Sequence, residues 1–287
     1  MSIARTSGGE AALEVRVLGP LEASVGSTTV ALGGGKPRAL LACLALHANR
    51  TVPAARLVDD LWGEATPRSA AKMVQIYVSQ LRKVLPPGLL RTSPPGYALE
   101  LGLDRLDVTR FERLRSAGRA ALEAGDAETA SVRLRDALAL WRGPALGEFS
   151  EPFAALESAH LEELRVGCVE DRIEADIAAG RHADVTGELE ALIARYPFRE
   201  GLHAQLMVAL YRHGRHAEAL AAYERYRRAV DDGIGIAPSR GMRALQHQVL
   251  NQARELERAA PGSSRASAAL ARWIRSTPSR TATAASW

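Results

Sequence analysis

Long apolar stretches are missing from this sequence. No run approaches the roughly eighteen uninterrupted apolar residues that a membrane-spanning helix needs, and residues 1–10 are polar and glycine-rich, unlike a signal peptide. Cysteine is also scarce, because Cys43 and Cys168 are the only two. Each lies in an apolar helical pattern, which favours two separate buried thiols over a disulfide. We therefore expect a cytoplasmic protein with no membrane partner.

Acidic residues are missing from two stretches. Residues 65–99 contain none, although they hold five basic residues: Arg68, Lys72, Arg82, Lys83 and Arg91. Residues 261–287 also lack acid and carry four arginines, whereas residues 106–260 have a net charge of −4. A local absence of acid is typical of a surface that phosphates approach. An ordinary solvated basic face is the alternative.

Signatures of catalysis are absent as well. The run Gly33-Gly34-Gly35-Lys36 resembles part of a phosphate-binding loop, but that loop needs a glycine at Val30 and a serine or threonine at Pro37. The seven histidines show no metal-ligand spacing, and no nucleophile elbow is present. The sequence predicts no enzyme, no cofactor and no metal site.

The N-terminal third has the order sheet, helix, helix, long helix, hairpin. Short alternating segments and apolar helical periodicity predict three strands, then three helices, then two further strands, over residues 13–18, 21–25, 28–32, 37–47, 54–62, 69–85, 89–92 and 97–101. Gly63 suits a left-handed cap of the second helix. The final hairpin turns at Ser93-Pro94-Pro95-Gly96, where Gly96 permits a positive φ. This order predicts a winged helix-turn-helix over residues 13–105, expected to fold and bind DNA weakly alone.

The rest of the chain contains an internal repeat. Gly180-Arg181-His182-Ala183 recurs 34 residues later as Gly214-Arg215-His216-Ala217, and Gly125-Asp126-Ala127 resembles the same turn. That period is typical of the tetratricopeptide repeat, in which each unit is a helix pair. We expect a mainly α fold with a small β component: a winged helix, then an all-α repeat domain over residues 106–255. Residues 1–12 and 256–287 are predicted to be disordered.

The third predicted helix has two contrasting faces. At about 100° per residue, one face is apolar: Ala70, Val74, Tyr77, Val78, Leu81 and Leu85. The opposite face has no acid: Lys72, Gln75, Ile76, Ser79, Arg82 and Lys83. Glutamine can pair with adenine, lysine or arginine with guanine, and isoleucine can contact a thymine methyl group. The pattern predicts a recognition helix, although an amphipathic helix with a basic exterior shows the same pattern.

Five further residues are candidate DNA contacts. Arg68 and Ser69 lie at the start of this helix, where free amide groups favour a phosphate; Ser69 alternatively serves as an N-cap. Lys36 and Arg38 precede the first helix and are candidate backbone contacts. Arg91 is the only cation of the wing and therefore the candidate for a minor-groove contact.

Several motifs together resemble the Streptomyces antibiotic regulatory protein family. In the N-terminal part they are Lys36-Pro37-Arg38-Ala39-Leu40-Leu41, Leu61-Trp62-Gly63, Tyr77-Val78-Ser79-Gln80-Leu81-Arg82-Lys83 and Pro94-Pro95-Gly96-Tyr97. The second half resembles that family's bacterial transcriptional activation domain through Phe111-Glu112, Ala139-Leu140-Trp141-Arg142-Gly143-Pro144-Ala145-Leu146 and Asp171-Arg172-Ile173-Glu174-Ala175-Asp176.

The resemblance implies a nucleoid-associated activator of antibiotic or other secondary-metabolite genes. It implies binding to direct repeats in double-stranded promoter DNA, as a homodimer, and recruitment of RNA polymerase holoenzyme through its sigma and alpha subunits. The chain departs from the family pattern at Ser93, where members often carry arginine, and at residues 231–236, where the usual acidic turn is less regular. No receiver, forkhead-associated or ATPase module is visible, so a small stand-alone member is expected.

Two other functions compete with activation. A tetratricopeptide adaptor would use its basic N-terminal domain to hold a protein or RNA partner, although the acid-free interval and the wing favour DNA. A DNA-binding repressor has the same sequence features, because the sign of regulation depends on where the site lies relative to the promoter.

Overall fold

A computed structural model describes residues 12–253 and Leu256. The two ends predicted to be disordered lie outside these residues, except for Ala12 and Leu256. The chain forms two compact units: a first unit of residues 1–115 and 136–166, and a second unit of residues 116–135 and 167–287. Within the described ranges, no helix is long and apolar enough to cross a membrane.

Two small antiparallel sheets belong to the first unit. One has the order β1-β2-β3, with β1 at Leu13–Arg16, β2 at Glu22–Val25 and β3 at Thr28–Thr29. The other has the order β4-β6-β5, with β4 at Val52–Pro53, β5 at Leu90–Ser93 and β6 at Gly96–Leu99. The sequence does not predict β4, because two residues are too short to show alternation. The wing is therefore a three-stranded sheet with β5 at its edge.

Three helices complete the winged helix: α1 at Lys36–Leu46, α2 at Ala54–Trp62 and α3 at Ala70–Val84. They lie within about one residue of the predicted ranges, because apolar positions recur at helical spacing. Gly63 ends α2 with a positive φ of 54°, but its ψ of −131° is outside the left-handed helical region. The predicted left-handed cap is therefore wrong, and the chain continues into a 3-10 turn over Gly63–Ala65.

The first unit does not end with the wing. The buried carboxylate of Asp107 accepts hydrogen bonds from the amides of Val17 (2.9 Å) and Leu18 (2.9 Å). The amide of Arg142 donates to the Leu18 carbonyl at 2.8 Å, and Trp141 packs edge-on against Phe111 with ring centroids 5.5 Å apart. Residues 1–105 alone would leave the end of β1 without these partners, so the expectation that they form a self-sufficient domain is not supported.

Helices make up the rest of the chain. They are α4 at Asp107–Glu123, α5 at Ala127–Leu138, α6 at Pro152–Ala178, α7 at Thr186–Arg195, α8 at Glu200–Arg212, α9 at His216–Ile234 and α10 at Arg240–Leu250. The core of the second unit is built from α6 to α10, with Leu189, Leu202, Met207 and Tyr211 among its buried side chains.

The repeated glycines occupy equivalent turns. Gly125, Gly180 and Gly214 have φ values of 82°, 86° and 77°. In each turn the residue after the glycine donates its amide to the carbonyl five residues earlier, for example Arg181 to Asp176 at 2.8 Å and Arg215 to Leu210 at 2.9 Å. This is the glycine-dependent closure of a helix end that the positive φ allows, and it confirms a helical repeat.

The motif at residues 171–176 supplies a buried ionic cluster. Asp176 is only 1% exposed and accepts hydrogen bonds from Ser131 (2.7 Å), Arg135 (2.9 Å), Arg172 (3.0 Å) and Arg181 (2.9 Å). Burial opposes ionisation, but these hydrogen bonds outweigh it and lower the pKa of Asp176 to about 2. The cluster ties α5 to α6 and to the following turn, which is a structural role.

Candidate nucleic-acid interface

Helix α3 buries one face against the rest of the first unit. Ala70, Val74, Val78 and Leu81 are buried, with exposed fractions between 1% and 3%. Tyr77 is half-buried and stacks on Trp62 of α2, with ring centroids 6.2 Å apart. The contacts between α2 and α3 hold α3 with its opposite face outward, as in a helix-turn-helix.

The outward face holds the residues predicted to read DNA. All of them are exposed: Lys72, Gln75, Ile76, Ser79, Arg82 and Lys83. Ile76 is 45% exposed, an unusual position for a large apolar side chain among polar ones. The structure thus brings these six residues together on one helix face, which can offer hydrogen-bond donors and acceptors, positive charge and one apolar contact.

Three cations near this face remain available to phosphates. Arg68, Lys72 and Lys83 are exposed, and none of them forms an ion pair with another described residue. Ser69 occupies the N-cap position of α3 without making the side-chain capping bond; its hydroxyl is directed to the sulfur of Met73 at 3.6 Å. The N-cap interpretation of Ser69 is therefore wrong in its usual hydrogen-bonded form.

Arg82 is engaged with the wing. Its Nε donates to the carbonyl of Leu90 at 3.0 Å, and its Nη2 donates to the hydroxyl of Thr92 at 2.8 Å. One edge of its guanidinium is thus directed to β5. The sequence gives no sign of this arrangement, because both acceptors lie on the strand after the helix.

Gly96 is required for a reason other than its φ. It is absent from the glycines with positive φ, so the expected use of a positive φ in the wing turn is wrong. Instead, a Cβ atom at Gly96 would lie 1.8 Å from the carbonyl oxygen of Val52, because β6 pairs with β4 at this position. The glycine allows close approach of two backbones.

The wing cation is also paired. Arg91 donates from Nη1 to Glu100 Oε1 at 2.7 Å, with both side chains on the surface. Glu100 is the first acidic residue after the acid-free interval, so counting residues 65–99 alone overstates the free charge of the wing. An exposed pair of this kind adds little stability, but the carboxylate reduces the electrostatic attraction of Arg91 for a phosphate.

Lys36 and Arg38 contact acidic residues of the first unit. Lys36 Nζ lies 3.2 Å from Glu151 and donates to the Leu61 carbonyl at 2.7 Å. Arg38 Nε donates to Glu148 at 2.7 Å. Burial opposes ionisation of Glu148, but hydrogen bonds from Arg38 and from the Leu21 amide outweigh it and lower its pKa. Both cations therefore tie the start of α1 to residues 148–151.

The acidic partners of Lys36 and Arg38 are missed by the sequence reasoning. Glu148 and Glu151 could not be found, because they lie 110 and 115 residues from Arg38 and Lys36. Among the described residues, no three histidine, cysteine, aspartate or glutamate side chains come together to hold a metal ion.

Comparisons with known proteins define the class and then the family. Residues 29–99 match the family described as "Transcriptional regulatory protein, C terminal", and residues 106–250 match the "Bacterial transcriptional activator domain". With the winged helix and the exposed face of α3, these matches make the chain a transcriptional activator. It belongs to the Streptomyces antibiotic regulatory protein family.

Individual relatives agree with this assignment. The chain is 39% identical over 261 residues to the regulatory protein DnrI of Streptomyces peucetius, covering 87% of this chain and 96% of that protein. It is 42% identical to the regulatory protein AfsR of Streptomyces coelicolor over 83% of this chain, but spans only 24% of AfsR. The structure of Mycobacterium tuberculosis EmbR in complex with a low-affinity phosphopeptide superposes with a TM-score of 0.83 at 36% identity, covering 92% of this chain and 69% of that one. This likeness confirms the predicted fold class.

Proposed function

We propose that this activator inserts α3 into the major groove of double-stranded promoter DNA and binds direct repeats as a homodimer. There it recruits RNA polymerase holoenzyme through the sigma and alpha subunits. Its targets are biosynthetic genes for antibiotics or other secondary metabolites. The relatives named as regulatory proteins and the two family matches support this function.

The single observation that carries DNA binding is the exposed, acid-free face of α3. Six of its side chains point away from the core. Along the sequence, the acidic residues that come before and after it are Glu64 and Glu100. A helix with such a face fits the width of the major groove. An ordinary solvated helix of a protein with this many acidic residues would carry both signs of charge.

Each residue of the face except Arg82 has a defined role in this proposal. Gln75 pairs with an adenine edge, Ile76 contacts a thymine methyl group, and Ser79 donates to or accepts from a neighbouring base. Lys72 and Lys83 bind guanine edges or phosphates. At the start of α3, Arg68 and the Ser69 hydroxyl contact a phosphate, where the amide groups of the first turn favour negative charge.

The engaged cations have a secondary role. Lys36, Arg38 and Arg91 are paired with Glu151, Glu148 and Glu100, so reaching a phosphate would require each to leave or share a carboxylate. We assign Lys36 and Arg38 to holding the first unit together, and Arg91 to a weak contact at the wing.

Polymerase recruitment is assigned to the activator domain, residues 106–250. Residues 106–260 carry more acidic than basic residues, which disfavours extra phosphate contacts. Stacked helix pairs offer the broad surfaces that helical repeats use for protein partners.

Selection from a randomised duplex pool tests DNA recognition. The full chain should enrich a repeated motif, and Gln75→Ala should reduce discrimination at one base pair of each repeat by about 1–3 kcal/mol. Gln80→Ala is the matched control, since it removes the same side chain from the same helix outside the reading face. Failure to enrich any sequence would favour the adaptor function, and equal effects of both variants would place the reading face elsewhere.

Transcription from the selected site with purified polymerase holoenzyme tests the direction of regulation. We expect stimulation when the site lies upstream of the promoter elements. Inhibition at every upstream spacing would instead identify a repressor.

A further inference from the structure

We propose that Arg82 is a positioning residue that fixes the wing to the recognition helix and reads no base itself. The inference rests on the proposed function, because it concerns the same DNA-binding surface. It reassigns a residue whose type and place on the outward face of α3 both suggest guanine recognition.

The acceptors of Arg82 both belong to β5. Its Nε donates to the Leu90 carbonyl at 3.0 Å and its Nη2 to the Thr92 hydroxyl at 2.8 Å. The Leu90 carbonyl and the Thr92 side chain are only two residues apart on one strand, so a single guanidinium can reach both. A planar guanidinium with rigidly spaced donors can hold two such acceptors at once.

The position of β5 explains why the wing needs this attachment. In the order β4-β6-β5 it is an edge strand, and within residues 12–253 it pairs with β6 alone. An edge strand presents carbonyl groups that no further strand satisfies, and Arg82 occupies the one at Leu90. β5 is also held at its far end by a hydrogen bond of 2.8 Å between the hydroxyls of Ser93 and Thr51, and β6 is held by its pairing with β4.

The place of Arg82 along α3 agrees with this role. It lies in the last turn of a helix that ends at Val84, whereas recognition helices usually contact bases through their N-terminal residues. Arg82 therefore connects two DNA-facing elements: α3, which carries Gln75 and Ile76, and the wing tip. Loss of the connection should let the wing move while α3 keeps its base contacts.

The test uses the full chain and the duplex that the wild-type protein enriches from a randomised pool. Affinity is measured for Arg82→Ala, Thr92→Val, the double variant and Thr92→Ser. We expect Arg82→Ala to weaken binding about three- to tenfold, the effect of losing such hydrogen bonds. It should weaken the target and its single-base variants equally. Thr92→Val should act in the same direction, Thr92→Ser should restore binding, and the double variant should be no weaker than Arg82→Ala.

Base replacement separates positioning from reading. Replacing each guanine of the duplex with 7-deazaguanine removes N7, one of the two acceptors that a guanine-reading arginine uses. The proposal expects every penalty measured with wild type to persist in Arg82→Ala. A penalty that disappears in Arg82→Ala, or losses from Arg82→Ala and Thr92→Val that simply add, would overturn it.

Folding is controlled by thermal unfolding of each variant. If Arg82→Ala unfolds, the comparison of Thr92→Val with Thr92→Ser still decides the matter, because Thr92 is exposed and the change conserves its shape. If the Thr92→Val variant bound the duplex as tightly as the wild-type protein, this result would then contradict the proposal. Failure of the wild-type protein to enrich any duplex would instead count against the proposed function itself.

Discussion

In the proposed DNA complex, we expect single side chains on α3 to decide which bases the protein prefers. Ile76 is the large apolar residue of the outward face, 45% exposed among polar neighbours. If it contacts a thymine methyl group, replacing that thymine with uracil should weaken wild-type binding about fourfold, since one buried methyl group contributes about 0.8 kcal/mol. Ile76→Ala should lose this sensitivity. Fluorescence anisotropy with matched thymine and uracil duplexes measures both effects.

Val84 provides the control for Ile76. It is another aliphatic residue of α3 with a similar exposed fraction, 41%, but it lies at the end of the helix and away from the reading face. Val84→Ala should keep the preference for thymine. Persistence of the preference in Ile76→Ala would show that another group contacts the methyl.

A buried histidine makes the second unit sensitive to acid. His203 is 3% exposed, and its Nε2 donates to the Pro197 carbonyl at 2.9 Å. Burial lowers the pKa of His203 from 6.5 to about 4 and outweighs the hydrogen bond to Pro197, which raises it; Arg225 lowers the pKa further and Glu200 raises it. The folded chain thus keeps His203 neutral where the unfolded chain becomes protonated. Stability from this group is complete above pH 6.5 and is lost as pH falls toward 4.

The expected loss from His203 is about 3 kcal/mol in the free energy of unfolding across that interval. His203→Gln keeps a donor for Pro197 but cannot titrate, so its stability should fall less over the same range. Urea unfolding of wild type and variant between neutral pH and pH 4 gives the comparison. Parallel pH profiles would mean that His203 is not responsible.

At the scale of elements, the wing depends on the close contact of β4 with β6. Gly96→Ala would place a Cβ atom 1.8 Å from the Val52 carbonyl oxygen, so the two strands would have to separate. We expect the free energy of unfolding to fall by about 2 kcal/mol or more, in the range of overpacking changes, and DNA affinity to fall with it. Thermal unfolding and the anisotropy assay measure the two effects.

Gly34→Ala is the matched control for the wing. Nothing lies within 4 Å of a Cβ atom at Gly34, and its φ is not positive. The same chemical change should therefore have little effect on stability or binding there. Equal destabilisation by both variants would show that the contact between β4 and β6 does not explain the effect of Gly96→Ala.

Elements with many residues were predictable, whereas short ones and distant contacts were not. Helix α3 repeats its apolar residues often enough to place both of its faces and nearly both ends. The two-residue strand β4 has no such repetition. The charges show the same contrast: the residue types of Arg82 and Arg38 suggest phosphate or base contacts, but their partners Thr92 and Glu148 are brought to them only by the folded chain. Local periodicity can be read from sequence, and tertiary pairing cannot.

For the whole molecule, net charge is a poor guide to DNA affinity. Of the cations predicted to bind DNA, only Arg68, Lys72 and Lys83 are exposed and without an ion pair or hydrogen bond to another described residue. Three phosphate contacts predict a slope of about −3 for log K against log salt, since each contributes about −0.9. A slope near −5 or steeper would show that the paired cations leave their carboxylates on binding.

A charge-matched pair of variants checks which cations contribute. Lys72→Ala should make the slope shallower by about 1, whereas Arg228→Ala, an exposed arginine on α9, should leave it unchanged. Affinities over a range of potassium chloride concentrations give both slopes. Equal changes would indicate a diffuse electrostatic effect without a defined interface.

The interrupted path of the chain through the first unit determines when that unit can fold during synthesis. The Leu21 amide binds Glu148, a partner 127 residues further on, so the ribosome must translate far beyond the wing before the unit can close. At about 5–20 residues per second, the segment between the wing and residue 166, the end of the first unit, takes roughly 3–13 s to emerge. During this delay the nascent winged helix lacks Asp107, Trp141 and Glu148. Newly made protein should therefore acquire DNA binding only after the first part of the activator domain, through residue 166, has left the exit tunnel.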